Sequence, residues 1–289
     1  MPKNLQKNRS LKIGKFNFKK GKTFIVAELS GNHNGSFNRA KKLLIKAKES
    51  GADAVKLQTF SADLITLNSK KNDFKLDYLN NKEWKRYKTF YSLYSKSSTP
   101  WDWHPKLFDL AKKIGIEIFS SPFDETAVDF LEKLNCPIYK IASFEMTDLN
   151  LVKKVSKTKK PIIISTGMAN LKEIEATVKT ARRYGSKNIT LLYCVSNYPS
   201  SIDDFNLHNI KILKKKFNCK VGISDHSTDN RVAIASIASG AEVVEKHIAL
   251  DNQKKGFDID FSLKGKEIKR FRDDIDVAFK LLGKNSFFR

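Results

Sequence analysis

Phe24-Ile-Val-Ala-Glu-Leu-Ser-Gly-Asn-His-Asn-Gly35 opens as an apolar, β-branched run, then breaks into a carboxylate, a serine, two asparagines, a histidine and two glycines. The run reads as a buried strand. A surface turn whose Asn residues cap the next helix accounts for the Gly and Asn. It gives Glu28, at the end of a buried strand, no purpose. Loops that follow rigid strands carry most binding and catalytic groups, and the same pattern recurs down the chain.

Short apolar runs lie near 24–29, 54–60, 116–121, 138–143, 161–166, 189–194, 220–226 and 242–249. Amphipathic, helix-period stretches alternate with them at 38–50, 105–114, 125–134, 149–158, 171–184, 207–217, 231–239 and 264–282. Strands apolar on both faces, each followed by one helix, predict a closed parallel (β/α)8 TIM barrel. A doubly wound open sheet is the alternative, but no Gly-x-Gly-x-x-Gly follows the first strand. The 289 residues fit one such domain, 1–289, with a basic N-terminal extension at 1–22. The connection at 61–103 is oversized and rich in aromatics, Trp84, Tyr87, Tyr94 and Trp101 among them. It reads as a lid over the strand ends, with a packed excursion along the barrel flank as the alternative.

Composition narrows the class. No apolar run reaches the roughly 18 residues of a membrane span, and no signal-peptide stretch follows the basic N-terminus. Three cysteines (Cys136, Cys194, Cys219) are too few and too scattered for a disulfide framework or zinc cluster, so a cytoplasmic location is expected. The net charge of +23 raises nucleic-acid binding, but Lys supplies 45 of the 54 basic residues, without clustered Arg forks or interleaved aromatics. A Lys-rich solvated surface, useful for drawing in an anionic substrate, is the preferred reading.

Barrel active sites lie at the carboxyl ends of the strands, and here every end is polar. In chain order they present Glu28; Lys56 and Gln58; Ser121; Lys140, Ser143 and Glu145; Ser165; Ser196 and Tyr198; Ser224 and His226; and Glu245 with His247. Lys56 and Lys140 with Ser121, Ser143, Ser165, Ser196 and Ser224 suit a phosphate or carboxylate. Each serine alone is also a common helix N-cap. A lysine inside an apolar strand, by contrast, must find an anion. His226 and His247 fall on adjacent strands, within reach of one divalent ion.

The strings Ala27–Gly35, Gly51–Thr59, Tyr139-Lys-Ile-Ala-Ser-Phe-Glu145, Ile164-Ser-Thr-Gly-Met168, Gly222-Ile-Ser-Asp-His-Ser227 and Val244-Glu-Lys-His247 together resemble the sialic acid synthase family. Thr99-Pro-Trp-Asp-Trp-His104 and Phe119-Ser-Ser-Pro-Phe123 resemble its pseudaminic acid branch rather than its N-acetylneuraminate or legionaminate branches. The resemblance implies condensation of phosphoenolpyruvate with an open-chain amino sugar, a 2,4-diacetamido-2,4,6-trideoxyhexose. It implies phosphoenolpyruvate binding by Lys56, Lys140, Ser143, Ser165, Ser196 and Ser224, with Ser121 kept as a substrate-binding candidate, and a divalent ion (Mn2+ or Mg2+) on His226 and His247. Glu28, Glu145 and Lys140 become the candidate catalytic groups, and Gln58, Tyr198 and Asp258 the sugar contacts. Where the family usually reads Gly-Pro-Asp, this chain has Gly256-Phe-Asp258. The family also carries a C-terminal antifreeze-like domain that reaches into a partner subunit. This chain stops at Ser286-Phe-Phe-Arg289, about where that domain would begin. It is expected to lack it, which leaves open a homodimer, a separate antifreeze-like polypeptide, or a non-catalytic barrel that binds sugar or a partner.

Overall fold

The structure, a computed structural model, describes residues 12–13, 16–17, 22–79 and 81–283. A short antiparallel pair, β1 (Lys12–Ile13) and β2 (Phe16–Asn17), precedes the barrel. The barrel strands are β3 (Phe24–Glu28), β4 (Ala54–Thr59), β5 (Glu117–Pro122), β6 (Tyr139–Ile141), β7 (Ile162–Ser165), β8 (Ile189–Cys194), β9 (Lys220–Asp225) and β10 (Val243–Ala249). All pair in parallel with their sequence neighbours, and β10 pairs with both β9 and β3. The sheet therefore closes on itself. Nearly every strand residue is buried, because β-branched side chains fill both the barrel interior and the layer beneath the helices. Truncating one of them, Leu191→Ala for example, costs about 2–5 kcal/mol by leaving a cavity.

Closure needs one glycine. A methyl at Gly222 would lie 2.8 Å from both Val243 Cβ and Leu192 Cδ2, so β9 meets β10 only without a side chain there.

The helices that return each strand are α1 (Phe37–Glu49), α5 (Trp103–Ile114), α6 (Glu125–Lys133), α7 (Leu149–Lys157), α8 (Leu171–Arg183), α9 (His208–Phe217), α10 (Asn230–Ala238) and α11 (Lys266–Leu281). Strand and helix bounds differ from the sequence-based ones by at most two residues. Side chains start the helices: Ser36 caps α1, Asp124 α6, Asp148 α7, Asp229 α10, and Asn170 with Glu173 forms a capping box on α8. The capping role considered for the asparagines of the first loop falls instead to Ser36.

Two parts were not foreseen. The extension at 1–22 contains the β1–β2 pair, whose Ile13 joins the main core and whose Phe16 packs edge-on against Phe24 at 4.8 Å. A two-residue strand, β11 (Leu263–Lys264), pairs with the end of β10. The long connection folds into α2 (Ala62–Ile65), α3 (Lys82–Lys85) and α4 (Phe90–Ser97) around a second apolar cluster of Leu76, Leu93 and Phe257. The chain end on which the expected missing domain rests, 284–289, lies outside the described residues. Among the described residues no helix is long and apolar enough to cross a membrane.

Candidate active site

Strand alternation turns Glu28, Lys56, Glu245 and His247 inward, and register sets their heights. Glu28 is level with Lys56 on one side and His247 on the other, and Glu245 is level with Ser224. Lys56 Nζ lies 2.6 Å from Glu28 Oε2 and 3.1 Å from Glu245 Oε2. Lys140 Nζ reaches Glu245 Oε1 at 3.1 Å, and Ser224 Oγ donates to the same oxygen at 2.8 Å. The strand lysines thus find their anions within the protein, as two ammonium groups facing two carboxylates. Burial pulls Lys56 down to about 7, against the attraction of Glu245. Burial pushes Glu245 up, but Lys140 and Lys56 outweigh it and hold the carboxyl below its ordinary value.

The serines are not caps. Asp124, Asp148, Asn170 and Asp229 hold the helix N-termini after β5, β6, β7 and β9. The hydroxyls of Ser121, Ser143, Ser165 and Ser224 are left to the barrel mouth. Ser143 Oγ accepts from Met168 N at 2.8 Å and from Ser196 Oγ at 3.1 Å. Ser121 Oγ and Ser165 Oγ are buried without a hydrogen-bond partner. Buried, unspent donors at the strand ends that also carry two lysines are chemically suited to an anion. Gly167 lets these ends pack closely, since a methyl there would lie 2.7 Å from Cys194 Sγ.

The imidazoles of His226 and His247 stand 5.5 Å apart, centroid to centroid. His226 Nδ1 donates to Val195 O at 3.1 Å, which leaves a lone pair on Nε2. Ser224, 3.4 Å from that Nε2, gives its single proton to Glu245, so the lone pair stays unspent. His247 Nδ1 lies 3.5 Å from Asp258 Oδ2. Burial lowers His226 to about 4 and His247 well below its ordinary value, keeping both rings neutral and able to ligate. Among the described residues no three His, Cys, Asp or Glu side chains surround a single point. The protein's donors here are two neutral imidazoles, with the Asp258 carboxyl beside the second.

The 61–103 segment walls one side. Trp84 Nε1 donates to Phe257 O at 2.7 Å, and Tyr87 stacks on the Phe257 ring at 5.1 Å. Trp84 also meets Tyr198 at 5.6 Å, while Asn81 Nδ2 donates to Tyr198 O at 3.3 Å. Tyr198 in turn lies 4.4 Å from the His226 ring. Phe257, where the family usually has proline, is thus what the aromatic segment packs against. Glu145 sits in the loop after β6; its Oε2 is buried without a partner, and burial raises the group to about 7 against the pull of Lys140. Gln58 lies one alternation beyond Lys56, level with Ser121.

The sequence-derived residues therefore converge on one mouth. His33 serves as an anchor, its Nε2 3.2 Å from Thr99 Oγ1 and its ring against Trp103. The sequence marks Glu245 only as a strand-end residue, and the structure makes it the hub of the ion cluster. Its signal was a charge at an inward position of an apolar strand, the same signal that singled out Lys56 and Lys140. Phe261, 4.9 Å from His247, had no local signal, whereas Trp84 is one of the aromatics from which the 61–103 lid is read.

A protein-family model described as the NeuB family matches residues 43–287. The pseudaminic acid synthase of Helicobacter pylori is 44% identical over 259 residues, 90% of this chain and 75% of that protein. The N,N'-diacetyllegionaminic acid synthase of Campylobacter jejuni is 40% identical over 265 residues, 91% of this chain and 78% of that protein. The crystal structure of N-acetylneuraminic acid synthetase from Leptospira borgpetersenii, in complex with citrate, superposes with a TM-score of 0.84 at 27% identity, covering 97% of this chain and 92% of that one. By sequence and by fold, this chain belongs to the NeuB family.

Proposed function

We propose that the chain condenses phosphoenolpyruvate with a 2,4-diacetamido-2,4,6-trideoxyhexose to give pseudaminic acid and phosphate. The observation that carries this reading is the buried set of Lys56, Lys140 and unspent serine hydroxyls at the strand ends that also carry two neutral imidazoles. It occurs in a chain 44% identical to a pseudaminic acid synthase. In the reaction, C3 of the enol bonds to the aldehyde carbon, and C2 becomes an oxocarbenium centre that takes up water. The resulting adduct loses phosphate.

Lys56 and Lys140 hold the phosphate and carboxylate with Ser121, Ser143, Ser165, Ser196 and Ser224. Because Glu28 and Glu245 already neutralise both lysines, an arriving anion competes with them and draws Lys140 toward the departing phosphate. Glu145, poised near neutrality, suits proton exchange with water, and Glu28 suits exchange with the new hydroxyl. Gln58, Tyr198 and Asp258 contact the sugar. His226 and His247 would hold a divalent ion, Mn2+ or Mg2+, which supplies Lewis-acid polarisation of a carbonyl when bound.

The second reading is legionaminate synthesis, favoured by the 40% identity to the Campylobacter jejuni enzyme. A panel of 2,4-diacetamido-2,4,6-trideoxyhexoses of differing configuration, with N-acetylmannosamine, separates the two by which acceptor gives the highest kcat/KM. No turnover with any of them overturns both.

A further inference from the structure

Ser30 is, among the described residues, the one buried non-glycine residue with a positive φ, at +44°. The others, Asn34, Lys88, Asn135, Lys159 and Asn218, are all exposed, and three are the asparagine that tolerates this region. A serine here carries strain that glycine would not, and such strain persists only where the surroundings impose it. They do. A methyl at Gly31 would lie 2.8 Å from Phe257 Cδ2 and 3.0 Å from Ser97 Cβ, so the turn is pinned between the long segment and the loop after β10. Asn32 Oδ1 accepts from Asp258 N at 3.0 Å, and Asn32 Nδ2 donates to Ile248 O at 3.0 Å and Ser262 Oγ at 2.8 Å. Ser30 N donates to Glu28 Oε1 at 2.7 Å.

Every one of these bonds involves the turn's backbone or Asn32, so glycine at position 30 would keep them all. Besides its Cβ, the serine adds a buried hydroxyl that lies beside the Asp258 carboxyl and meets no other hydrogen-bond partner among the described residues. Asp258 also lies 3.5 Å from His247 Nδ1, so this hydroxyl stands at the histidine end of the mouth.

We propose that Ser30 is a binding residue for the acceptor sugar, its hydroxyl hydrogen-bonding a hydroxyl or amide group of the open-chain amino sugar. This rests on the condensation reading above. The test compares the unmodified chain with Ser30→Gly and Ser30→Ala. Glycine relieves the strain and alanine keeps it, while both remove the hydroxyl. The expected result is a Tm about 2 °C higher for Ser30→Gly. Both variants should show a roughly tenfold lower kcat/KM for the acceptor, the value of one hydrogen bond, with KM for phosphoenolpyruvate unchanged. Unaltered acceptor dependence in Ser30→Gly, equal losses toward both substrates, or a lower Tm for Ser30→Gly overturns this inference alone. Absence of turnover in the unmodified chain overturns the condensation reading, and this inference with it.

Discussion

Lys56 and Glu28 face each other at 2.6 Å on neighbouring strands, sealed from solvent, and both belong to one neutral cluster with Glu245 and Lys140. Buried charges persist only when paired, and removing one member leaves an uncompensated charge. Glu245→Ala deprives both lysines of a carboxylate and is expected to cost about 3 kcal/mol in chemical denaturation. Glu245→Gln keeps an acceptor for Ser224 and is expected to cost less. Equal stability of the alanine variant and the unmodified chain would show that the cluster carries no net charge coupling.

His226→Ala and His247→Ala each remove one neutral imidazole from the mouth. Turnover is expected to be lost while thermal unfolding stays cooperative. Titration of Mn2+ by calorimetry should show one site in the unmodified chain and at least tenfold weaker binding in either variant. Unchanged Mn2+ affinity in both would place the ion elsewhere.

Acid should destabilise the fold through two histidines away from the mouth's chemistry. His33 and His104 are buried, each lowered by burial to about 4. His104 Nε2 is held by Thr59 Oγ1 at 2.9 Å. The unfolded chain takes up these protons near pH 6.5, the folded one only near 4, so the unfolded state binds more protons in between. Their stabilising contribution is complete above 6.5 and is lost as pH falls through that window, by up to about 3 kcal/mol each. Tm should fall steadily from pH 7 to pH 5, and His104→Gln should flatten the slope. A slope unchanged in that variant contradicts the assignment.

Trp84 joins the long segment to the Phe257 loop and to Tyr198. Trp84→Phe keeps the ring and loses the N–H to Phe257 O, so KM for the acceptor is expected to rise a few-fold with kcat little changed. Trp84→Ala should raise it further. Equal acceptor KM in all three proteins would make the segment a packed flank and not a wall of the site.

The barrel was legible because its signals are local. Ile162–Ser165 and similar runs are apolar on both faces, and the helices between the strands carry a regular stripe, four of them (α6, α7, α8 and α10) beginning at Asp or Asn caps. The strand-end inventory was legible because (β/α)8 topology sends all those ends to one mouth. Glu245 was undervalued because its meaning comes from register: only closure of β10 onto β9 and β3 brings it to Lys56, Lys140 and Ser224. Trp84 and Phe257, 173 positions apart, meet through packing that no periodicity encodes. The β1–β2 pair was missed because two-residue strands show no alternation.

Phosphate release by the purified chain tests the central claim most directly. The account predicts stoichiometric release when phosphoenolpyruvate, a divalent ion and a 2,4-diacetamido-2,4,6-trideoxyhexose are all present, and none when any one is omitted or when Lys56→Met replaces the unmodified chain. Release from phosphoenolpyruvate without the sugar, or no release with all three, would contradict it.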